Sequence, residues 1–108
     1  MVIVLCTVPP LEADRIASAL VEESLAACVN AIPGVTSTYR WEGAVCREPE
    51  TALWIKVASE RVGPLTERLR ALHPYALPEI VVLPVDVGAS DPRYVAWVRA
   101  SSGGPEAP

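Results

Sequence analysis

The pattern of apolar and polar positions divides the first part of the chain into a strand and a helix. Residues 2–8 (VIVLCTV) are apolar on both faces and end at a pair of prolines, which predicts a central strand. Between Leu11 and Cys28, apolar or small residues recur at helical spacing. This segment therefore predicts the first helix, with proline rather than a side-chain cap at its first turn.

A long hairpin is predicted after this helix. Residues 29–41 read as extended, and Glu42-Gly43 lies between two β-rich runs, which is typical of a hairpin turn. The returning strand contains Pro49, which we expect on an edge or at a bulge. Both strands are long for a hairpin of a small domain.

The second half of the chain repeats the alternation of helix and strand. Apolar residues at 62, 65, 69 and 72 form the stripe of a second helix that Pro74 ends, and residues 79–87 predict another strand that is apolar on both faces. Asp91-Pro92 is a typical start for a short last helix. The ending SSGGPEAP is polar, so we expect a single domain over 1–101 and a disordered tail over 102–108.

The resulting order of strand, helix, strand, strand, helix, strand and final helix is the split βαβ, ferredoxin-like pattern of an α+β domain with an antiparallel sheet. Two crossover helices cover only one face of such a sheet. Because the strands at 2–8 and 79–87 are apolar on both faces, we expect copies of the chain to bury the other face. The predicted homo-oligomer would use the long hairpin as its contact, through Tyr39, Trp41 and Trp54.

Charge and composition exclude several classes of partner. The 108-residue chain has a net charge of -4 and no basic cluster, which argues against nucleic acid and against an anionic membrane surface. Its N-terminal apolar run is too short for a signal peptide or a membrane span, so we expect a cytoplasmic protein. Three well-separated cysteines fit neither a small disulfide framework nor a Cys-x-x-Cys zinc knuckle.

The only histidine, His73, lies in the stretch HPYALPEI and has two interpretations. It can simply end the second helix, where a cation interacts favourably with the helix dipole. Alternatively, the turn that follows brings His73 and Glu79 to one side as metal ligands. With a thiolate from Cys6 they form a borderline donor set that suits copper or zinc, although a mid-strand Cys6 also reads as a buried apolar residue.

Catalytic motifs are absent from the sequence: there is no phosphate-binding Gly-rich loop, no Gly-x-Ser-x-Gly and no His-Glu-x-x-His. A Cys6–His73 pair for acyl transfer has no third group to orient it. Lys56, the only lysine, lies in an apolar strand, and we interpret it as the ion-pair partner of Glu79 or of a neighbouring subunit. We therefore expect no enzymatic activity.

Taken in order, a series of short motifs resembles the CutA divalent-cation tolerance family over roughly residues 2–100. These motifs are LCTVP (5–9), LAACVN (25–30), IPG (32–34), S-x-Y-x-W-x-G (37–43), HPY (73–75), PEI (78–80), LP (83–84) and the late Tyr94 and Trp97. The resemblance implies a ferredoxin-like subunit in a tight homotrimer, a cytoplasmic location and a link to tolerance of copper and other divalent cations. It also implies an architecture like that of the PII signalling trimers, which bind small ligands in clefts between subunits.

The resemblance carries a ligand set with it. Copper binding is proposed for some family members. The resemblance implies that the residues of this chain at the positions of their proposed copper ligands are Cys6, His73 and Glu79. Some members have a second histidine where this chain has Leu72, so we expect weaker or differently shaped copper binding.

Four hypotheses follow from the sequence. The leading one is a non-enzymatic trimeric protein that binds copper(II) or another divalent cation. The alternative is a PII-like signalling module that binds a small anionic ligand or a partner between subunits, with Arg40, Lys56 and Tyr75 as contacts. The others are an enzyme with Glu79 or His73 as general base in that cleft, and an inert scaffold whose metal binding is weak or adventitious.

Overall fold

A computed structural model describes residues 1–103 of the chain and has the predicted α+β architecture. Four strands form one antiparallel sheet in the order β2-β3-β1-β4, which is the ferredoxin-like topology. The elements are β1 (Val2–Val8), α1 (Ala13–Glu22), β2 (Cys28–Trp41), β3 (Ala44–Val57), α2 (Val62–Leu72), β4 (Ile80–Pro84) and α3 (Pro92–Ser101), with single 3-10 turns at Pro10–Glu12 and Ser59–Arg61. The predicted fold class is confirmed.

One face of the sheet is covered by α1 and α2. Alternate residues of β1 and β3 point toward these helices because successive side chains of a strand lie on opposite faces. The helices contribute Ile16, Leu20, Leu65 and Leu69, all fully buried. We call this side the helix-facing side; its strand residues include Val4, Cys6, Val8, Leu53, Ile55 and Val57.

The opposite side of the sheet, which we call the open face, is only partly covered. Leu5 pairs with Trp54 on one side and with Val81 on the other, and these three apolar residues remain half-buried or exposed. The last helix, α3, covers one end of this face, where burial and then the nearby Cys28 raise the pKa of Tyr94. Strands that are apolar on both faces therefore leave an apolar surface that residues 1–103 do not cover.

The hairpin forms as predicted, and its outer half leaves the sheet. Glu42 and Gly43 both have positive φ, 50° and 82°, which is the turn that best matches the twist of two-residue hairpins. The pairing of β1 with β3 ends at Thr51, whereas β2 and β3 stay paired from Val35–Glu50 to the turn. We call residues 35–50 the ribbon: two strands with no third neighbour among residues 1–103.

The irregular position in the hairpin is not Pro49. Pro49 pairs in register with Thr36 and lies beyond the end of β1 pairing, so its other side is a strand edge, as one of the two expectations had it. The register shift lies between Ile32 and Val35. Gly34, inside this shift, has φ 79°, a conformation that side chains rarely adopt. The bulge redirects β2 at the point where the ribbon leaves the sheet.

Two elements are shorter than the sequence predicts. The first helix runs from Ala13 to Glu22 instead of Leu11 to Cys28, because Ser24 takes a left-handed φ of 57° and the N–H groups of the next two residues turn back to the Leu20 carbonyl. The last strand ends at Pro84, whose pairing with Val2 is the last of the β1–β4 register. Apolar residues beyond each end follow the expected pattern but belong to loops.

The end of the domain differs from the expected disordered tail at Ser102. This residue is fully buried, its Oγ accepts a hydrogen bond from the Ala58 backbone N–H at 2.8 Å, and it donates to the Val98 carbonyl. A short polar sequence predicts flexibility, but here one hydroxyl satisfies a buried donor at the start of the turn before α2. Residues 104–108 of the expected tail lie outside the described residues.

Candidate functional site

A pocket of about 600 Å³ lies where the ribbon leaves the open face of the sheet. Its walls come from three places in the sequence: the end of β1, the ribbon, and the loop between α2 and β4. The lining residues are Thr7, Ser37, Thr38, Tyr39, Trp41, Glu50, Tyr75, Ala76, Leu77 and Glu79.

Strand periodicity builds the ribbon wall of this pocket. Ser37, Tyr39 and Trp41 are two residues apart, so their side chains share one face of β2. The register places them on the same face as Glu50, because directly paired residues of antiparallel strands point the same way. Tyr39 and Trp41 are 42% and 49% exposed.

The base of the pocket holds a buried carboxylate. Glu50 is only 6% exposed, and the Tyr75 hydroxyl donates a hydrogen bond to its Oε2 at 3.2 Å. Burial, then the charge of Glu50 and this hydrogen bond, raises the pKa of Tyr75 to about 12. Tyr75 thus stays a neutral donor at physiological pH and keeps the carboxylate in place.

A second carboxylate, that of Glu79, lines the same pocket and is exposed. It directly precedes Ile80, which pairs with Cys6, so the alternation of β4 places Glu79 beside Thr7 on the open face. Among the described residues, no lysine, arginine or histidine lines this pocket. The two carboxylates and the hydroxyls of Thr7 and Ser37 therefore give it a negative potential and oxygen donors.

His73 lies behind the pocket wall, with both ring nitrogens in hydrogen bonds. Its Nε2 is 2.8 Å from the Thr7 carbonyl oxygen, which can only accept, so Nε2 carries the proton. Its Nδ1 accepts from the Tyr75 backbone N–H at 3.1 Å. His73 is 7% exposed and fixes Tyr75 against the end of β1, and the centroids of the two rings lie 4.7 Å apart with the ring planes tilted by 50°.

Cys6 points away from the pocket into the helix-facing core and is fully buried. Burial in the first place, then the charges of Glu79 and Glu50, raises its pKa from 9.0 to about 12. The alternation of β1 and β4 places Cys6 and Glu79 on opposite faces of the sheet. Within residues 1–103, the structure shows no group of three or more His, Cys, Asp and Glu side chains arranged to hold a metal ion.

The predicted ligand set of Cys6, His73 and Glu79 is therefore divided by the fold. Glu79 lines the pocket, His73 supports it from behind, and Cys6 faces the other side of the sheet. Tyr75, predicted as a cleft contact, is in the pocket wall.

The other predicted cleft contacts do not reach the pocket. Arg40 is one residue out of phase with Tyr39 and Trp41 and so points to the opposite face of the ribbon. Lys56 shares the open face but pairs with Ile3, four positions along β3 from the residue that pairs with Thr7, or about 13 Å. Because Lys56 and Glu79 lie on opposite sides of β1, the expected ion pair within one chain does not form.

Sequence reasoning missed Glu50, the most buried charged residue of the pocket. The available signal was its position: it follows Pro49 and opens the apolar run TALWIKV, where a carboxylate is out of pattern. Ser37 and Thr7 were missed because a hydroxyl in a strand is common and marks no particular chemistry.

The fold defines a small α+β domain of the ferredoxin-like class, with a pocket at the base of its ribbon. The CutA1 divalent ion tolerance protein model matches residues 2–101, and the chain belongs to this family. A divalent-cation tolerance protein CutA from Thermus thermophilus is 50% identical over 102 residues, which are 94% of this chain and 97% of that protein. Protein CutA, chloroplastic, from Arabidopsis thaliana is 43% identical over 94% of this chain and 55% of its own length.

Solved structures agree with this assignment. The PII-like protein CutA from Nostoc sp. PCC 7120, in apo form, has a TM-score of 0.92 at 45% identity, over 94% of this chain and 97% of that one. The predicted PII-like fold and membership in the CutA family are confirmed. No helix in the described part of the chain is both long and apolar enough to span a membrane.

Proposed function

We propose that this protein is a cation-responsive binding protein whose pocket holds a divalent cation between Glu50 and Glu79. The observation that supports this most strongly is the lining of the pocket: two carboxylates, one of them 6% exposed, and no basic side chain among the described residues. A buried carboxylate without a cationic partner favours a ligand that brings the positive charge.

The same lining disfavours the anionic ligand of the PII-like alternative. An anion would have to enter beside Glu50 and Glu79, while Arg40 and Lys56 point elsewhere. Like charges at short range cost free energy that no local donor offsets. The PII-like fold therefore supports a ligand-responsive protein, and the charge of the pocket supports a cation as its ligand.

Copper(II) is the divalent cation we propose to bind most tightly, since first-row affinities for a given site rise toward copper. Its ligands would be carboxylate and hydroxyl oxygens of Glu50, Glu79 and Thr7. Copper(I) prefers thiolates, but Cys6, whose pKa burial raises to about 12, faces the helix-facing core on the other side of the sheet from this pocket. Tolerance of divalent cations would follow from reversible binding at this pocket.

The assembly we propose is a homotrimer in which neighbouring copies support the ribbon and cover the open face. A two-stranded ribbon about 23 Å long is marginally stable alone, and β4 has one open edge in the described chain. Tyr39, Trp41 and Trp54 remain the proposed contacts. The number three rests on the family resemblance.

We propose a binding role without catalysis, in the cytoplasm. The nucleophile and base that the sequence offered, Cys6 and His73, are respectively a neutral buried thiol and an imidazole with both nitrogens engaged. Cell fractionation with an antibody to the chain tests the location, which relatives do not share uniformly, since one is chloroplastic by name.

Calorimetric titration of copper(II), zinc(II) and manganese(II) into metal-free protein tests the proposed site. Glu79→Gln and Glu50→Gln should each weaken binding at least tenfold, an effect of about 1.4 kcal/mol or more. Glu67→Gln on the exposed surface of α2 is the control with the same change of charge, and it should leave binding unchanged.

The alternative ligand set gives the opposite pattern. If Cys6→Ala and His73→Gln abolish binding while Glu50→Gln retains it, the metal is held by the set that the sequence suggested and the proposed pocket is wrong. If Glu67→Gln weakens metal binding as much as the pocket variants do, the loss of affinity reflects only the change in net charge of the protein. Mass measurements on the same samples show whether each variant keeps the oligomer.

A further inference from the structure

One feature of the pocket is unused by a metal ion: the aromatic side chains of its walls. Tyr39, Trp41 and Tyr75 all line it, and each is between 40% and 49% exposed in the single subunit, where Tyr39 and Trp41 are also the proposed subunit contacts. They come from two separated segments, the ribbon and the loop before β4. Aromatic side chains exposed this far on one concave surface provide open ring faces to a ligand.

These rings surround the two carboxylates. The Tyr75 hydroxyl donates a hydrogen bond to Glu50, and the strand register places the Tyr39 side chain on the same face of the ribbon as Glu50. Aromatic faces attract cations through their quadrupoles, and carboxylates attract them by charge. A bare metal ion would use only the oxygens, because it keeps its water or oxygen ligands and gains little from a ring face.

The size of the pocket points the same way. Its volume of about 600 Å³ is in the range of small-molecule sites and far exceeds what one metal ion fills. Its lining alternates apolar surface, from Trp41 and Leu77, with a few oxygen acceptors. This combination suits a ligand with an apolar body and a positive charge.

We propose that the pocket binds an organic cation, a quaternary or alkylated ammonium group, with its charge beside Glu50 and Glu79 and its methyl or methylene groups against Tyr39, Trp41 and Tyr75. The assignment goes beyond divalent-cation binding: it uses the aromatic walls, which the metal proposal does not. Either ligand can bind without the other. A protein that binds both would see them compete for the same carboxylates.

The test compares choline with 3,3-dimethylbutan-1-ol, a neutral molecule of the same shape, by calorimetry on the unmodified oligomer. Choline and tetramethylammonium should bind saturably at millimolar concentrations or below. The neutral analogue should bind at least about tenfold more weakly, because the ring faces and carboxylates recognise the charge. This comparison does not depend on the folding of any variant.

A pair of matched variants then locates the site. Trp41→Leu should weaken choline about tenfold and copper(II) by a clearly smaller factor, because only the organic cation contacts the ring, and oligomer mass measured on the same samples separates this effect from a loss of assembly. Trp97→Leu, which removes an equally exposed indole outside the pocket (48% against 49%), should change neither. Copper(II) added in excess should displace choline from the wild-type protein.

Three outcomes would overturn the inference: no saturable choline binding, equal binding of the neutral analogue, or equal weakening by the two tryptophan variants. The first would also be the result if a neighbouring subunit fills the pocket. Failure of choline with retained copper binding rejects the organic cation and keeps the proposed function. If copper(II) fails to bind while choline still binds, the divalent-cation site is rejected and the organic-cation site is kept.

Discussion

His73 provides the sharpest test of how this site is built, because the structure gives it a positioning role. Its Nε2–H donates to the Thr7 carbonyl and its Nδ1 accepts from the Tyr75 N–H, which ties the end of β1 to the loop of the pocket. We predict that His73→Ala destabilises the subunit and that His73→Gln, whose amide can still donate to Thr7, recovers part of the loss.

The magnitude follows from the groups left without partners. An unsatisfied buried polar group costs about 1–3 kcal/mol, and His73→Ala leaves two, one of which is on the more exposed Tyr75. We expect a loss of about 2–4 kcal/mol per subunit for alanine. For glutamine, which restores the bond to Thr7, we expect about half of this.

Urea denaturation at a fixed subunit concentration measures these differences, since the stability of an oligomer depends on its concentration. The measurement is made with and without a chelator. If His73 acts through hydrogen bonds, the order wild type, glutamine, alanine is the same in both. A loss under about 0.5 kcal/mol for alanine, or a loss that disappears with the chelator, would refute the positioning role.

Three further predictions concern other parts of the fold. The pKa of Cys6, raised by burial from 9.0 to about 12, means that the folded chain holds this proton more tightly than the unfolded chain. The free energy of unfolding should therefore be insensitive to this group below pH 9 and fall as pH rises from 9 toward 12; Cys6→Ala should make that fall shallower in urea titrations across pH and leave the part due to Tyr75, whose pKa is also raised to about 12. Ser102→Ala should cost about 1–3 kcal/mol in thermal or chemical denaturation because it leaves the Ala58 N–H unpaired, whereas Ser101→Ala should cost far less. Gly43→Ala should cost about 1–2 kcal/mol, since φ of 82° strains any side chain, and a Gly43→Asn variant should lose less.

The sequence predicts the fold well where a turn or a helix end depends only on residues that are neighbours in the chain. Glu42-Gly43 marks the hairpin turn, and Asp91 caps the last helix by accepting from the N–H groups of Arg93 and Tyr94. It overextends the first helix because the small apolar residues after Ser24 continue the helical spacing. The helix ends because Ser24 adopts a left-handed backbone conformation, and the sequence has no glycine or asparagine at this position that would have predicted it.

The site is less predictable because it depends on which face of a strand each residue occupies. Cys6, His73 and Glu79 have plausible ligand chemistry, but the pleat of β1 and β4 separates Cys6 from Glu79. Ser37, Tyr39 and Trp41 share the face of Glu50 only because of the bulge between Ile32 and Val35, which moves the odd-numbered residues of β2 onto that face. Neither the register nor the pleat phase at the end of a strand can be read from composition or spacing.

The ribbon makes the pocket sensitive to assembly. Tyr39 and Trp41 form one wall of the pocket, and they lie on two strands that leave the sheet without a third neighbour in their own described chain. In the proposed trimer, whatever steadies the ribbon also steadies that wall, so ligand affinity and subunit association are thermodynamically linked and each strengthens the other by the same factor. Dilution that dissociates the trimer would then lower the apparent affinity, because the separated subunits bind more weakly. The amount of this chain in a cell would set the sensitivity of the response as well as its capacity.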